Sequence, residues 1–219
     1  MPLQFGAQLS RELSVLLDVV GDGLGEPGFA GGVAAPGVGP VGEHERGALA
    51  RIQRLARENW GEGRSIWSAD LGDRDLVVDQ VEVSDEEAPE RVARVLDLEE
   101  GARVCVRSRR FVLEGKPVLI ATSYLPAELV AGSAITQRDT GPGGIYARLG
   151  ELGHKPVHFR EEIRSRMPSQ EEASQLSLAM GTPVFLICRT AFADGGHPVE
   201  VNEMVLDSAS YVLEYAFDA

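Results

Sequence analysis

The chain has 219 residues and a formal net charge of −13, with 21 Lys and Arg set against 34 Asp and Glu. That length suffices for one large domain, or for one of about 150 residues with an extension. The acidic balance argues against a protein that grips phosphate backbones by itself, which takes clustered basic side chains.

Residues 1–47 differ in kind from the rest. The stretch 21–47 holds ten glycines together with Pro27, Pro36 and Pro40, and Arg11 and Arg46 are the only basic side chains before residue 51. Such a composition buries too little to order itself, so an extension without packed structure is expected, with a short helix over 9–20. Gly23-Leu24-Gly25-Glu26-Pro27-Gly28 satisfies G-x-G-x-x-G. The context fails it, because Pro27 and the following glycines cannot continue as the helix that would hold a pyrophosphate. The best apolar stretch near the start, residues 13–20, is also too short and too interrupted, by Asp18, for a signal peptide or membrane span, and no basic segment precedes it, so a cytoplasmic chain is expected. From residue 45 the spacing of Leu49, Ile52, Leu55, Ala56 and Trp60 predicts a helix leading into a folded domain over 48–219.

That domain is built from an internal repeat. Val77, Val83, Leu96, Leu98, Gly101, Val104 and Arg109 return eighty residues later as Val157, Ile163, Leu176, Leu178, Gly181, Val184 and Arg189. After one inserted glycine, Pro117, Val118 and Leu125 match Pro198, Val199 and Leu206. Each copy reads strand, helix, strand, hairpin, strand: 76–84, a helix with Val92, Val95 and Leu96, then 103–113 and 117–124 in the first copy. The second has 157–167, a helix after Ser169, then 184–192 and 199–206. Ser84 with Glu87, and Ser169 with Glu172, fit the capping-box spacing. Between the copies, Gly141-Pro142-Gly143-Gly144 opens a short helix carrying Ile145, Leu149 and Leu152 on one side. Two βαββ units predict an α+β domain, an antiparallel sheet of about six strands with helices packed on it and a cleft between pseudo-symmetric halves.

Candidate site residues are given by alternation along strands. Arg107 and Arg109 share one face and Ser108 and Arg110 the other. A guanidinium fork suits carboxylate or phosphate, and it equally suits an ion pair with one of the many acidic side chains. Arg189, the repeat mate of Arg109, points to a pair aimed at a shared cleft. Gly143 and Gly144 offer bare backbone N–H groups at a helix start, or serve as a flexible connector. Tyr146 on the first turn is a hydroxyl donor or a packing anchor. Glu200 and Glu203 lie on opposite faces of the last hairpin strand, and Glu203 stands at the repeat position of Thr122; either carboxylate suits ligand hydroxyls. No nucleophile, metal-ligand or Walker pattern is present, and Cys105 and Cys188 sit in apolar runs as buried reduced thiols. No cofactor, no metal and no catalytic residue is expected.

The order of these motifs resembles the UTRA domain, the effector-sensing module of GntR-type transcription regulators of the HutC subfamily. It is carried by residues 106–110, Thr122-Ser123-Tyr124-Leu125-Pro126, Gly143-Gly144-Ile145-Tyr146, residues 178–181 and Pro198-Val199-Glu200. The resemblance implies a chorismate lyase-like fold, a small-molecule effector such as a sugar derivative or organic acid, no enzymatic turnover, and a homodimer. Members that bind sugar phosphates place arginines on the strand matching 107–111, a serine two before the tyrosine matching Tyr146, and an acidic residue on the last hairpin. Arg109 and Tyr146 match that pattern. Phe111 replaces a second arginine and Gly144 the serine, which implies a less charged or more apolar ligand. Such regulators carry a winged helix-turn-helix of about seventy residues before this domain. Residues 1–47 do not fit one, so DNA contact is expected only through a reader not evident here.

Overall fold

The computed structural model describes residues 50–53 and 76–214. In chain order the elements are β1 (Ala50–Gln53), β2 (Leu76–Glu87), α1 (Glu90–Val95), β3 (Arg103–Leu113), β4 (Lys116–Pro126), α2 (Ala127–Val130), a 3-10 turn (Ala134–Thr136), α3 (Gly144–Glu151), β5 (His158–Arg166), α4 (Gln170–Gln175), β6 (Val184–Phe192), β7 (Pro198–Asp207) and β8 (Tyr211–Glu214). Six strands form one antiparallel sheet in the order β2-β3-β4-β7-β6-β5. The order is a palindrome of the repeat. β4 and β7, the third strands of the two copies, meet at the centre, and the opening strands β2 and β5 become the two edges.

The copies share local geometry as well as sequence. Both short helices end through a left-handed residue, Asp97 (φ 54) or Ser177 (φ 51), and a left-handed glycine, Gly101 (φ 79) or Gly181 (φ 85). The conformation needed at the second position favours glycine, which explains the shared L-x-L-x-x-G pattern. Leu96 and Leu176, Val104 and Val184, and Leu125 and Leu206 are all buried.

Two differences from the sequence expectations have physical causes. Ser169 and Glu172 do form a reciprocal capping box at α4. Ser84 and Glu87 do not, because both are strand residues paired with Val106 and Arg103; α1 begins only at Glu90, after Pro89, with no side-chain cap. The predicted helix after residue 45 is contradicted at residues 50–53, which pair in parallel with β8, a strand the pattern did not foresee. Cross-strand hydrogen bonding there overrides a helical spacing of apolar residues. The predicted helix over 9–20 and the glycine-rich stretch lie outside the described residues.

The two sheet faces are covered differently. On one, Val92 and Leu96 of the first helix pack on Val104, Val106 and Val201. On the other lie two apolar clusters. One holds Phe111, Leu119, Met204, Leu206 and Tyr211. The second gathers Cys105, Leu125 and Phe159 under Val130, Ile135, Ile145 and Leu149 from the connection between the halves.

Candidate functional site

Between those two apolar clusters runs a polar belt. Reading alternate residues along β3 gives Cys105, Arg107, Arg109, Phe111, so two charges sit between apolar neighbours on one face. The same alternation supplies Ser123 from β4, Glu200 and Asn202 from β7, and Arg189 from β6. Registers bring them side by side: Arg107 faces Ser123, Ser123 faces Asn202, and Asn202 faces Arg189. Arg107, Ser123, Arg189, Glu200 and Asn202 are all buried. Burying this many polar groups costs free energy unless each finds a partner.

A cavity of about 680 Å³ opens over the belt at the seam of the two halves. Among the expected residues it is lined by Arg107, Arg109, Gly143, Gly144, Tyr146, Arg189 and Glu200. Thr122 and Glu203 are not there. Both point to the opposite face, where Thr122 shares a hydrogen bond with Ser108 (3.1 Å) and Glu203 accepts a two-point fork from Arg91 (2.8 and 2.7 Å). Of the two carboxylates left open by the sequence, Glu200 is thus the one facing the cavity. Phe111, Gln80, Val81, Arg138 and Asn202 also line it. Asn202 was legible in principle, since it alternates with Glu200; Val81 and Arg138 carry no sequence signal.

The three arginines of the belt are held in three ways. Arg107 is a clamp: Nη1 donates to the carbonyls of Ile135 and Gln137, and Nη2 to that of Arg138 at 3.1 Å, pinning the 3-10 turn onto the sheet. Arg189 donates from Nε to Glu161 Oε1 at 2.8 Å, and Nη2 approaches the same oxygen at 2.7 Å without hydrogen-bond alignment. Arg109 has one hydrogen-bond partner, Ser123 Oγ at 2.7 Å, its guanidinium lies 5.9 Å from the Phe111 ring centre, and its Nε is buried without a hydrogen bond. Burial pushes the Arg109 guanidinium below its ordinary pKa, opposed by the charge on Glu200. For Arg189 burial acts in the same sense, but Tyr146 and Glu161 outweigh it and leave the value raised.

Tyr146, on the first turn of α3, is stacked at a tilt on Phe159 (5.3 Å between ring centres), and its hydroxyl stands between Glu200 and Arg189. Burial, reinforced by the Glu200 charge, holds this phenol above its usual range. Glu200 is 1% exposed with Oε2 unpartnered, and Asn202 Oδ1 is likewise unpartnered. The start of α3 reaches the cavity through Gly143 (φ 81) and Gly144 (φ 64), left-handed positions that suit glycine. Arg138 crosses from the clamped turn to β2, donating from Nε to the Val81 carbonyl at 2.9 Å. Among the described residues no cluster of His, Cys, Asp or Glu could hold a metal ion. Both thiols are free, and burial raises their pKa values, so neither is poised as a nucleophile.

The fold and this arrangement place the chain among known proteins. Residues 73–211 match the model of the UTRA domain. The chain belongs to the UTRA domain family. The chain is 38% identical over 139 residues to an uncharacterised HTH-type transcriptional regulator of Streptomyces coelicolor, covering 62% of this chain and 51% of that protein. The chain spans about half the length of the curated relatives it matches. Among solved structures, a GntR-family transcriptional regulator superposes with a TM-score of 0.69 at 23% identity, covering 80% of this chain and 72% of that one. The C-terminal domain of the histidine utilization repressor of Pseudomonas syringae pv. tomato superposes with a TM-score of 0.58 at 23% identity, covering 66% of this chain and 100% of that domain. The UTRA fold of six antiparallel strands and few helices is therefore shared with GntR-family and HutC-type regulators, and the curated relatives are named as HTH-type transcriptional regulators. None of the described helices is long and apolar enough to cross a membrane.

Proposed function

We propose that this UTRA domain is the effector-sensing part of a cytoplasmic, dimeric transcription regulator of the GntR/HutC type, and that it binds a small molecule without transforming it. The observation that carries this reading is the polar belt at the seam of the repeat: Arg109 Nε, Glu200 Oε2 and Asn202 Oδ1 are buried beside a cavity with their hydrogen-bonding capacity unspent. An empty site costs the fold those desolvated groups, and a complementary ligand recovers them. Arg109 and Glu200 come from different halves, so a ligand touching both favours one relative placement of the halves over another. In a dimer such a shift would change the spacing of attached DNA readers, which is how binding becomes regulation.

The test is a thermal-shift screen of the purified chain against fractionated small-molecule cell extract, repeated with Arg109→Ala. A ligand at 100 times its dissociation constant stabilises by about 2.7 kcal/mol, a rise of several degrees for a domain of this size. The rise should vanish in the variant. A chain whose melting point responds to no fraction would be a dimerisation module without an effector, and light scattering at the mass of a single chain would remove the dimer.

A further inference from the structure

The two halves treat their equivalent arginines differently. In the second half Arg189 faces Glu161 directly across the β6–β5 pair, and the two side chains form an ion pair at 2% and 4% exposure. Eighty residues earlier the position of Glu161 is occupied by Val81. There β2 steps from Asp79 opposite Arg110 to Glu82 opposite Ser108, so Gln80 and Val81 together face Arg109. Two residues against one is a β-bulge, and Gln80 takes a left-handed φ of 49 to make it. The bulge is tied in place by the Arg110 fork onto Asp79 (2.9 and 2.7 Å) and by Arg138 on the Val81 carbonyl. The Val81 isopropyl group therefore stands where the other half has a carboxylate, while the Gln80 amide is directed at Arg110. Among the described residues no carboxylate lies within ion-pair distance of Arg109.

We infer that the effector supplies the missing carboxylate, together with a hydrogen-bond donor for Glu200: it is a small amino acid or hydroxy acid rather than a phosphate ester. This rests on the reading of the cavity as the effector site. The charge balance of the lining supports one carboxylate and no dianion. Arg189 is balanced by Glu161 and Asp79 by Arg110. The remaining charged lining is Arg107, Arg109 and Arg138 against Asp139 and Glu200, three cations to two anions. A hydroxy acid closes that balance and a zwitterionic amino acid leaves it unchanged, whereas a phosphate dianion exceeds it and confronts the buried Glu200. The unpartnered oxygens on Glu200 and Asn202 are both acceptors, so the ligand must turn an ammonium or hydroxyl toward β7.

The experiment uses the full chain labelled with nitrogen-15, reading the arginine Nε–H resonances, with Arg109→Lys assigning the one that matters. The probes are sodium acetate, glycine, glycolate and inorganic phosphate at matched ionic strength. Acetate is expected to shift the Arg109 resonance saturably and phosphate not to. Glycine or glycolate should bind several-fold more tightly than acetate, glycine if the donor is an ammonium and glycolate if it is a hydroxyl. Saturation by phosphate and not acetate, or by neither, overturns the carboxylate assignment; equal affinity for all three acids overturns the Glu200 assignment. As a second reading, Val81→Glu should restore the ion pair of the other half, raising the melting temperature by a few degrees and abolishing the acetate response, while Val81→Gln does neither. The sensor reading fails separately. Acetate binding at Arg109 with no extract fraction affecting stability leaves the anchor and removes the sensor, and the converse removes the anchor alone.

Discussion

Arg107 and Arg109 are neighbours on one strand face, yet their surroundings assign them different tasks. Arg107 spends its terminal nitrogens on three loop carbonyls, so Arg107→Met should strand those acceptors and cost about 3 kcal/mol. The melting temperature should fall by roughly 6–12 °C, with faster hydrogen exchange confined to residues 134–140. Tyr146 makes a prediction about alkali. A phenol whose folded pKa is raised supports the fold while protonated; its contribution is complete below the unfolded value near 10 and drains as pH rises past it. Urea titrations between pH 8 and 11 should show stability falling above about 10, and Tyr146→Phe should flatten that limb. At this scale much of the site was legible, because strand alternation places Arg107, Arg109, Arg189 and Glu200 once the strands are known. What alternation cannot give is the division of labour. Whether an arginine meets a carbonyl, a carboxylate or only a serine depends on which loop folds over it, and that loop has no period. Thr122 and Glu203 fell on the wrong face for a related reason: they are repeat mates of each other, so their symmetry signal was as strong as that of the arginines.

At the level of elements, a short motif depends on its neighbours in the chain. Ser169 and Ser84 stand in equivalent S-x-x-E patterns, but a true cap forms only at α4. Ser169→Ala should cost about 1 kcal/mol and lower the melting temperature by roughly 2–4 °C. Ser84→Ala, in an exposed strand position, should change stability by less than about 0.5 kcal/mol; differential scanning of the two variants side by side checks both. The cause is visible in the chain. Pro89 lies five residues after Ser84 and delays the helix, whereas in the second copy Pro168 precedes Ser169 and leaves the cap free. The bulge of β2 belongs to this scale too: it breaks the repeat at the place where the repeat would otherwise have closed the cavity with a second ion pair. Alternation of apolar residues continues on both sides of it, so the sequence pattern reads straight through.

For the whole molecule the repeat was the legible feature, since it dictated the sheet order and the seam at which the cavity lies. Its charge network also sets an acid limit. Asp79 and Glu172 are held below their ordinary pKa values by hydrogen bonds from Arg110 and Arg166, while Asp207 is depressed because Lys116 and Ser210 outweigh its burial. A carboxylate with a depressed folded pKa contributes fully above its unfolded value, near 4, and that contribution is lost as pH falls through the folded one. Circular dichroism during acid titration should therefore show cooperative loss of structure below about pH 4, and Lys116→Met should move the midpoint upward. Less legible was the joining of the chain's two outermost described strands. β1 and β8 run parallel, residue for residue from Ala50 against Tyr211 to Gln53 against Glu214, and Tyr211 is part of the apolar core. Parallel neighbours at the entry and exit of a domain have a mechanical meaning. Tension drawn outward from residues 50 and 214 slides the two strands along each other and loads their hydrogen bonds together, instead of peeling them off one at a time, so a pull from either side is carried into the core as shear.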